Sequence, residues 1–386
     1  MPRVIRRIER SEQFGSTPLE LFYDLVFVFA ITQTSHLLID RLTWEGAGQA
    51  AVALLVVWWA WNYTTWVTNE LDPGSNVVQA LLIGLMLASL LMAIAIPEAF
   101  GSRAMLFAAS YVAIQVGRHT FLTFAAAERG SLERQRAGRI LTWFCASGVF
   151  WIAGAAADDG ARTALWIAAL VIDYGAPLVT YWVPGLPRVT PEAWEVSTAH
   201  FAERFGLFVI IALGESIVVT GATTAQLQLD VATVGAFASA FLATAALWWL
   251  YFNSVARLSE RALVASDHRT LVARDAYTYG HVLIIAGIIL TAVGDDIVIR
   301  HPTDDLTHAE LTALVAGPTL YLLAQAALRM RMTRTLSPRR LTAAAVCIAI
   351  GLAGSGQPAL AVAGLLLAVL ASVVAADLIV AARRRR

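Results

Sequence analysis

Apolar runs of about 20 residues, one after another with short polar connections between them, leave this chain few ways to fold. A backbone group left unpaired in hydrocarbon costs several kcal/mol, so each such run is expected to close its own hydrogen bonds as a spanning helix. About twelve runs are present, with cores near 19–38, 49–68, 77–97, 104–126, 139–156, 163–183, 202–222, 231–254, 276–293, 311–328, 341–355 and 358–381. Composition agrees. Of 386 residues, 58% are hydrophobic and 15% charged, and mean hydropathy is +0.65, whereas soluble domains are about half apolar and a quarter charged. The fold class implied is all-α, a polytopic membrane helix bundle. No cleavable signal peptide is expected, because the first run is long enough to span and lacks a small-residue cleavage site behind it.

The charges are balanced in number but segregated in position. All 28 basic residues are Arg, against 28 acids. Arg3, Arg6, Arg7 and Arg10 precede the first run. Alternate connections hold Arg129, Arg134 and Arg136, then Arg257, Arg261, Arg269 and Arg274, then Arg331, Arg334, Arg339 and Arg340, and Arg383 to Arg386 end the chain. The opposite connections offer little beyond Arg41, Arg103, Arg162 and Arg300. Basic residues near span ends are retained in the cytoplasm, so both termini are expected there, and an even number of spans fits. The partner implied is a lipid bilayer rather than nucleic acid. Cys145 and Cys347 both fall inside apolar runs, which suggests packing and neither a disulfide framework nor a thiolate metal site.

The two halves echo each other. Glu20-Leu21-Phe22 matches Glu203-Arg204-Phe205 at the start of spans one and seven, and Trp58-Trp59 matches Trp248-Trp249 in spans two and eight. Tyr111 and Gln115 match Tyr321 and Gln325; Arg139, Leu141, Thr142 and Gly154 match Arg339, Leu341, Thr342 and Gly354. Kept in order and in equivalent spans, these matches imply two six-helix units, residues 1–186 and 187–386. Six being even, the units would be parallel repeats about an axis along the membrane normal.

Ionisable residues inside spans are functional candidates, with structural ion pairs as the rival explanation. Thr17-Pro18-Leu19-Glu20 reads as a capping box, which gives Glu20 a structural role. Asp24 lies one turn deeper on the same face. Arg118, with His119, lies well inside span four and needs an acidic partner. At 1.5 Å per residue Asp24 stands roughly 9 Å above Pro18, and Arg118 reaches roughly the same depth from the other direction. An Asp24–Arg118 ion pair, shared with Glu20, is therefore expected. In span seven, Leu213-Gly214-Glu215-Ser216 could be a local irregularity presenting Glu215 and freed carbonyls to an internal path, or Glu215 could simply bond a neighbouring helix where Gly206, Gly214 and Gly221 permit close approach. Asp173 sits in span six before Gly175 and Pro177, where a kink is expected. His281 enters span nine beside Tyr277. Trp58, Trp59, Trp61 and Trp66 form either an interfacial belt or a ligand-facing aromatic wall. The candidates for a solute, ion or proton path are Asp24, Asp173, Glu215, Ser216 and His281.

The segments TPLELFYDLVFVFAITQTSHLL, HFAERFGLFVIIALGESIVVTG, LWWLYFNSV and YVAIQVGR resemble those of the bacterial low temperature requirement protein A family. The likeness runs over most of the chain. It implies a multi-pass protein of the bacterial inner membrane linked to growth in the cold, without a defined substrate. One position departs from it: an acid is expected in the YFNSV segment, where this chain has Asn253.

Two classes of function follow. One is a transporter or channel for a small solute or ion, with proton coupling open. The other is a non-transporting scaffold or a factor of assembly or lipid adaptation. An enzyme is not expected, since no His-Glu-x-x-His, Gly-x-Ser-x-Gly or Cys/His ligand cluster occurs. Neither cofactor nor metal is implied, and a homo-oligomer remains open.

Overall fold

The computed structural model describes residues 15–188, 190 and 198–385. The basic arm with Arg3, Arg6, Arg7 and Arg10, and Arg386 at the tail, lie outside the described residues. Everything regular in the described residues is helical: α1 (Pro18–Asp40), α2 (Trp44–Thr68), α3 (Asn76–Ala95), α4 (Ala104–Phe121), α5 (Leu132–Ala156), α6 (Asp159–Gly175), α7 (Thr198–Ala225), α8 (Val231–Leu250), α9 (Ala256–Ala265), the single turn α10 (Arg269–Val272), α11 (His281–Arg300), α12 (His308–Thr333), α13 (Pro338–Ala353) and α14 (Ala359–Arg385). A helix thus stands at each of the apolar runs. Nine stretches among the described residues are long and apolar enough to cross a membrane, including the continuous Val231–Ala265 and Arg269–Arg300. Not among them are α4, which carries Arg118 and His119, α6 at 17 residues and α13 at 16.

Local chemistry sets the ends. At α1 the expected box is formed: the Thr17 N–H and hydroxyl both donate to Glu20 Oε2 at 2.9 Å, and Glu20 N–H returns to Thr17 Oγ1 at 3.3 Å. Thr307 and Glu310 build the same box on α12. Asp230, in the connection before α8, accepts the Thr233 N–H at 2.8 Å, a bond that holds its carboxyl below the usual range. Span six ends sooner than its apolar run. There is no kinked continuation past Gly175; the chain turns, with Thr180 and Tyr181 both at φ 51°, because Pro177 has no N–H to continue the ladder. Span nine ends later than expected, at Arg300 rather than near 293, since two acids, Asp295 and Asp296, lie inside the helix.

The chain divides into two compact units. Unit 1 comprises residues to Leu37, Gly48–Arg204 and Asp267–Arg274; unit 2 comprises Leu38–Ala47, Phe205–Ser266 and Asp275 onward. In unit 1, α4 packs on α3 and α5, and α5 on α6, while Tyr174 of α6 stacks on Trp59 of α2 at 3.8 Å and donates to Leu55 O at 2.9 Å. In unit 2, α12 packs on α11 and α13, α13 on α14, and α14 on α8. The closest helix approach there is α11 against α12. A Cβ on Gly317 would meet Thr291 N at 2.4 Å, and one on Gly287 would meet Tyr321 N at 2.7 Å, so only glycine fits. The glycines expected to do this in α7 do not: Gly214 and Gly221 face open space, and Gly206 has only Phe252 nearby at 3.6 Å.

Outward faces are apolar where a lipid-facing helix should be. On α3, Val77, Ile83, Leu87, Leu90, Leu91 and Ile94 are exposed. The interior is polar by comparison, with several charged side chains enclosed.

Candidate functional site

Two acids and two bases, each pair one turn apart, meet side by side in unit 1. On α1 they are Glu20 and Asp24; on the first turns of α7 they are His200 and Arg204. Residues four apart share a helix face, and the pairing keeps register: 20 with 200, 24 with 204. Arg204 grips Asp24 with a two-pronged fork, Nη1 to Oδ2 at 2.6 Å and Nη2 to Oδ1 at 2.7 Å. Trp61 Nε1 adds a third bond to Oδ1 at 2.8 Å, and its ring lies 5.8 Å from the guanidinium carbon. His200 Nε2 meets Glu20 Oε1 at 3.0 Å, leaving Oε2 to the cap. All five side chains are buried. Such a cluster is stable only because each carboxylate has its own basic partner.

The expected Asp24–Arg118 pair is therefore not formed. Depth counted along a helix does not choose among helices, and the fork on Asp24 comes from Arg204. Arg118, with 0% exposure, makes no ion pair with a described acid and takes neutral partners instead. Its Nη1 donates to Thr64 Oγ1 at 2.9 Å and to Ala60 O at 3.3 Å, and its Nη2 to Gln115 Oε1. Its Nε has no hydrogen-bond partner. Tyr23 shares the Thr64 hydroxyl at 2.8 Å.

Asp173 is also buried in unit 1, where Oδ2 accepts from Tyr111 OH at 2.9 Å and Trp151 Nε1 at 3.1 Å. It bonds neither Asp24 nor Arg118. The Trp cluster of α2 is no interfacial belt, since Trp58, Trp59 and Trp61 are all fully enclosed and line the interior.

Glu215, Ser216 and His281 belong to unit 2. Glu215 and Ser216 are buried, and α7 runs unbroken through them, so of the two readings the local irregularity is not formed. Glycine at 214 costs helix propensity without forcing a break. The irregular backbone lies elsewhere, in π-helical stretches at Leu122–Ala126, Tyr251–Val255 and Ala273–Gly280. Asn253 sits in the second of these, accepting from Arg257 at 3.3 Å. His281 follows the third and uses both ring nitrogens, Nδ1 with Ala276 O at 2.9 Å and Nε2 with Tyr251 OH at 2.9 Å, while Tyr277 stacks on it at 4.9 Å.

Two residues of this interior had no place in the sequence reading. Asp296 is held by Arg300 Nε at 2.7 Å and by the Thr223 hydroxyl. Asp295, 5% exposed, has an Oδ2 with no hydrogen-bond partner. No group of three or more His, Cys, Asp or Glu side chains among the described residues is placed to hold a metal ion.

The profile described as bacterial low temperature requirement A protein (LtrA) matches residues 15–376 and so takes in all of these positions. The chain belongs to the LtrA family. An uncharacterized protein of Rhizobium meliloti (strain 1021) is 39% identical over 317 residues, covering 82% of this chain and 77% of that one. No solved structure matches. Family membership and the apolar helices together make this a multi-pass helical membrane protein.

Proposed function

We propose that this LtrA-family chain is a carrier or channel for a small solute or ion, coupled to protons, and not an enzyme. It would cross the bacterial inner membrane twelve times as two six-helix units, residues 1–186 and 187–386, with both termini cytoplasmic. The low temperature requirement in the family's description would then reflect loss of that traffic in the cold. The observation that carries the proposal is Asp295. A buried carboxylate with an unbonded oxygen costs free energy that helix packing does not return, and such groups in membrane helices mark ion and proton paths. The twofold architecture is supported by the similar order of helix neighbours in the two units, α3-α4-α5-α6 and α11-α12-α13-α14.

A second reading, a non-transporting scaffold or a factor of assembly or lipid adaptation, is favoured by the Glu20–His200 and Asp24–Arg204 pairs, which are structural in kind. The two are separated by flux in sealed vesicles containing only this protein. Transport predicts a solute-dependent proton movement that disappears in Asp295→Asn and Glu215→Gln, with folding retained. A scaffold moves nothing, and wild-type vesicles as tight as empty ones would sink the transport proposal.

A further inference from the structure

The two units contain similar three-part bonding arrangements of an Arg, a Gln and a hydroxyl, and they differ in charge as well as in the helix that supplies the Arg. In unit 1 a Gln on α4, Gln115, accepts from Arg118, which also takes the hydroxyl of Thr64 on α2. In unit 2 a Gln on α12, Gln325, accepts from Arg340 at 2.7 Å, which also takes the hydroxyl of Ser254 at 2.8 Å. Gln115 and Gln325 each stand four residues after a tyrosine, Tyr111 and Tyr321; Thr64 and Ser254 each stand five residues after the second Trp of a pair, Trp59 and Trp249. The arginines themselves come from different places, Arg118 from the same helix as its Gln and Arg340 from the next helix, α13.

Arg340 has a counter-charge. Its Nη2 donates to Asp377 Oδ2 at 2.9 Å. Beside it lies a small cavity of about 10 Å³, edged by Ser254, Gln325 and Arg340, roughly room for one water. Arg118 has none. Glu20 and Asp24 are paired with His200 and Arg204, and Asp173, which meets the neutral donors Tyr111 and Trp151 and has an unbonded Oδ1, makes no bond to Arg118. A guanidinium cannot shed its proton to escape burial, and the Ala60 carbonyl, Thr64 and Gln115 solvate Arg118 without neutralising it, which leaves its charge open to a small anion.

We propose that Arg118, with Thr64 and Gln115, forms a binding site for a small monovalent anion, seated against the unpartnered Nε, and that the Arg340 arrangement is its internally neutralised counterpart. One missing charge calls for one negative charge, and full enclosure calls for a small diffusible ion rather than a lipid headgroup. Calling that anion the transported solute rests on the transport proposal above; the binding site does not.

The test is thermal unfolding of the purified protein in chloride, nitrate, formate or phosphate at constant ionic strength, against a background of gluconate. A ligand that binds only the folded state raises its melting temperature saturably. Wild type should show that rise with at least one of the small monovalent anions. Gln115→Glu supplies the missing carboxylate directly to Arg118, so this variant should fold without added anion and lose the response. Gln325→Glu, beside an arginine already paired with Asp377, should respond as wild type does. Arg118→Gln should weaken any surviving response by ~10-fold or more. A wild type indifferent to every anion, which is what Asp173 acting as a distant counter-charge predicts, overturns the site. So does a Gln115→Glu protein that responds like wild type. Flux of the bound anion in vesicles is then measured separately: binding without flux ends the transport proposal and leaves the site, whereas flux without binding ends the site alone.

Discussion

Breaking the Asp24–Arg204 fork should cost more than any other single polar change in the first unit, and changing both ends together should cost less than changing either. Asp24 carries three bonds, two of them from a cation at 2.6 and 2.7 Å, in an interior where both residues are buried. In Asp24→Asn the guanidinium keeps its charge and loses the opposing one. In Arg204→Gln the carboxylate is left with only the Trp61 N–H. Each single change strands an uncompensated buried charge, a loss of about 3–5 kcal/mol. At 1.4 kcal/mol per factor of ten, that is roughly a hundred- to a few-thousand-fold in the folded population.

The double variant carries two neutral amides that can bond each other, so its loss should fall to about 1–2 kcal/mol. Arg204→Lys keeps the charge and forfeits the fork, for an intermediate loss of about 1.5–3 kcal/mol. The assay is unfolding in reconstituted bilayers followed by Trp emission, with membrane yield as a second readout. Arg118→Gln supplies the contrast, since it should not rescue Asp24→Asn. Additive losses in the Asp24/Arg204 double variant, or recovery of Asp24→Asn by Arg118→Gln, would show that the acid is balanced by a different base from the one bonded to it here.

Three further outcomes are expected. Gly317→Leu and Gly287→Val should each destabilise the protein by about 1–3 kcal/mol or more by forcing α11 from α12, whereas Gly214→Ala should be neutral or slightly stabilising, as judged by the same unfolding measurement. Thr17→Ala should cost about 1 kcal/mol by removing the α1 cap, and Glu20→Gln should exceed it because His200 loses its partner as well. With the native Cys145 replaced by Ser, single Cys probes at Glu128 and Thr335 should resist an impermeant outside reagent in intact cells while one at Gln226 labels; the reverse pattern would invert the proposed orientation.

The helices were legible because hydrocarbon permits few alternatives: every apolar run became a helix, and the α1 cap was written in four residues. The partners were less so. Depth along a helix can be counted from sequence, and that count puts Asp24 and Arg118 on one level, but the azimuth of each helix decides which side chains meet. A usable signal was nevertheless present. Glu20 and Asp24 are four apart, His200 and Arg204 are four apart, and both pairs open a span that runs in the same direction under the proposed topology. Two like-directed helices with an acid pair and a base pair at equal depth can lie in register, whereas a single Arg on an oppositely directed helix can answer only one acid.

Asp295 was overlooked for the opposite reason. A charged pair, Asp295-Asp296, looks like the end of a membrane segment, so the apolar core of span nine reads as ending at 293, two residues short of Asp295. Asp296 earns its depth through Arg300 one turn on and the Thr223 hydroxyl, which together make the extension of α11 affordable. Asp295, on the adjacent position and a different face, gains nothing from Arg300, since neighbours one apart do not share a side of a helix. Helix α11 could stop before Asp295 and expose it to water, yet it continues for five more residues with that carboxylate enclosed. If structure alone accounted for the extension, Asp295→Asn would be neutral or stabilising and every vesicle flux would survive it. If Asp295 is the protonatable group of the path, the same change should raise stability by relieving a buried charge while abolishing proton-coupled movement, a division of effects that no purely structural acid would give.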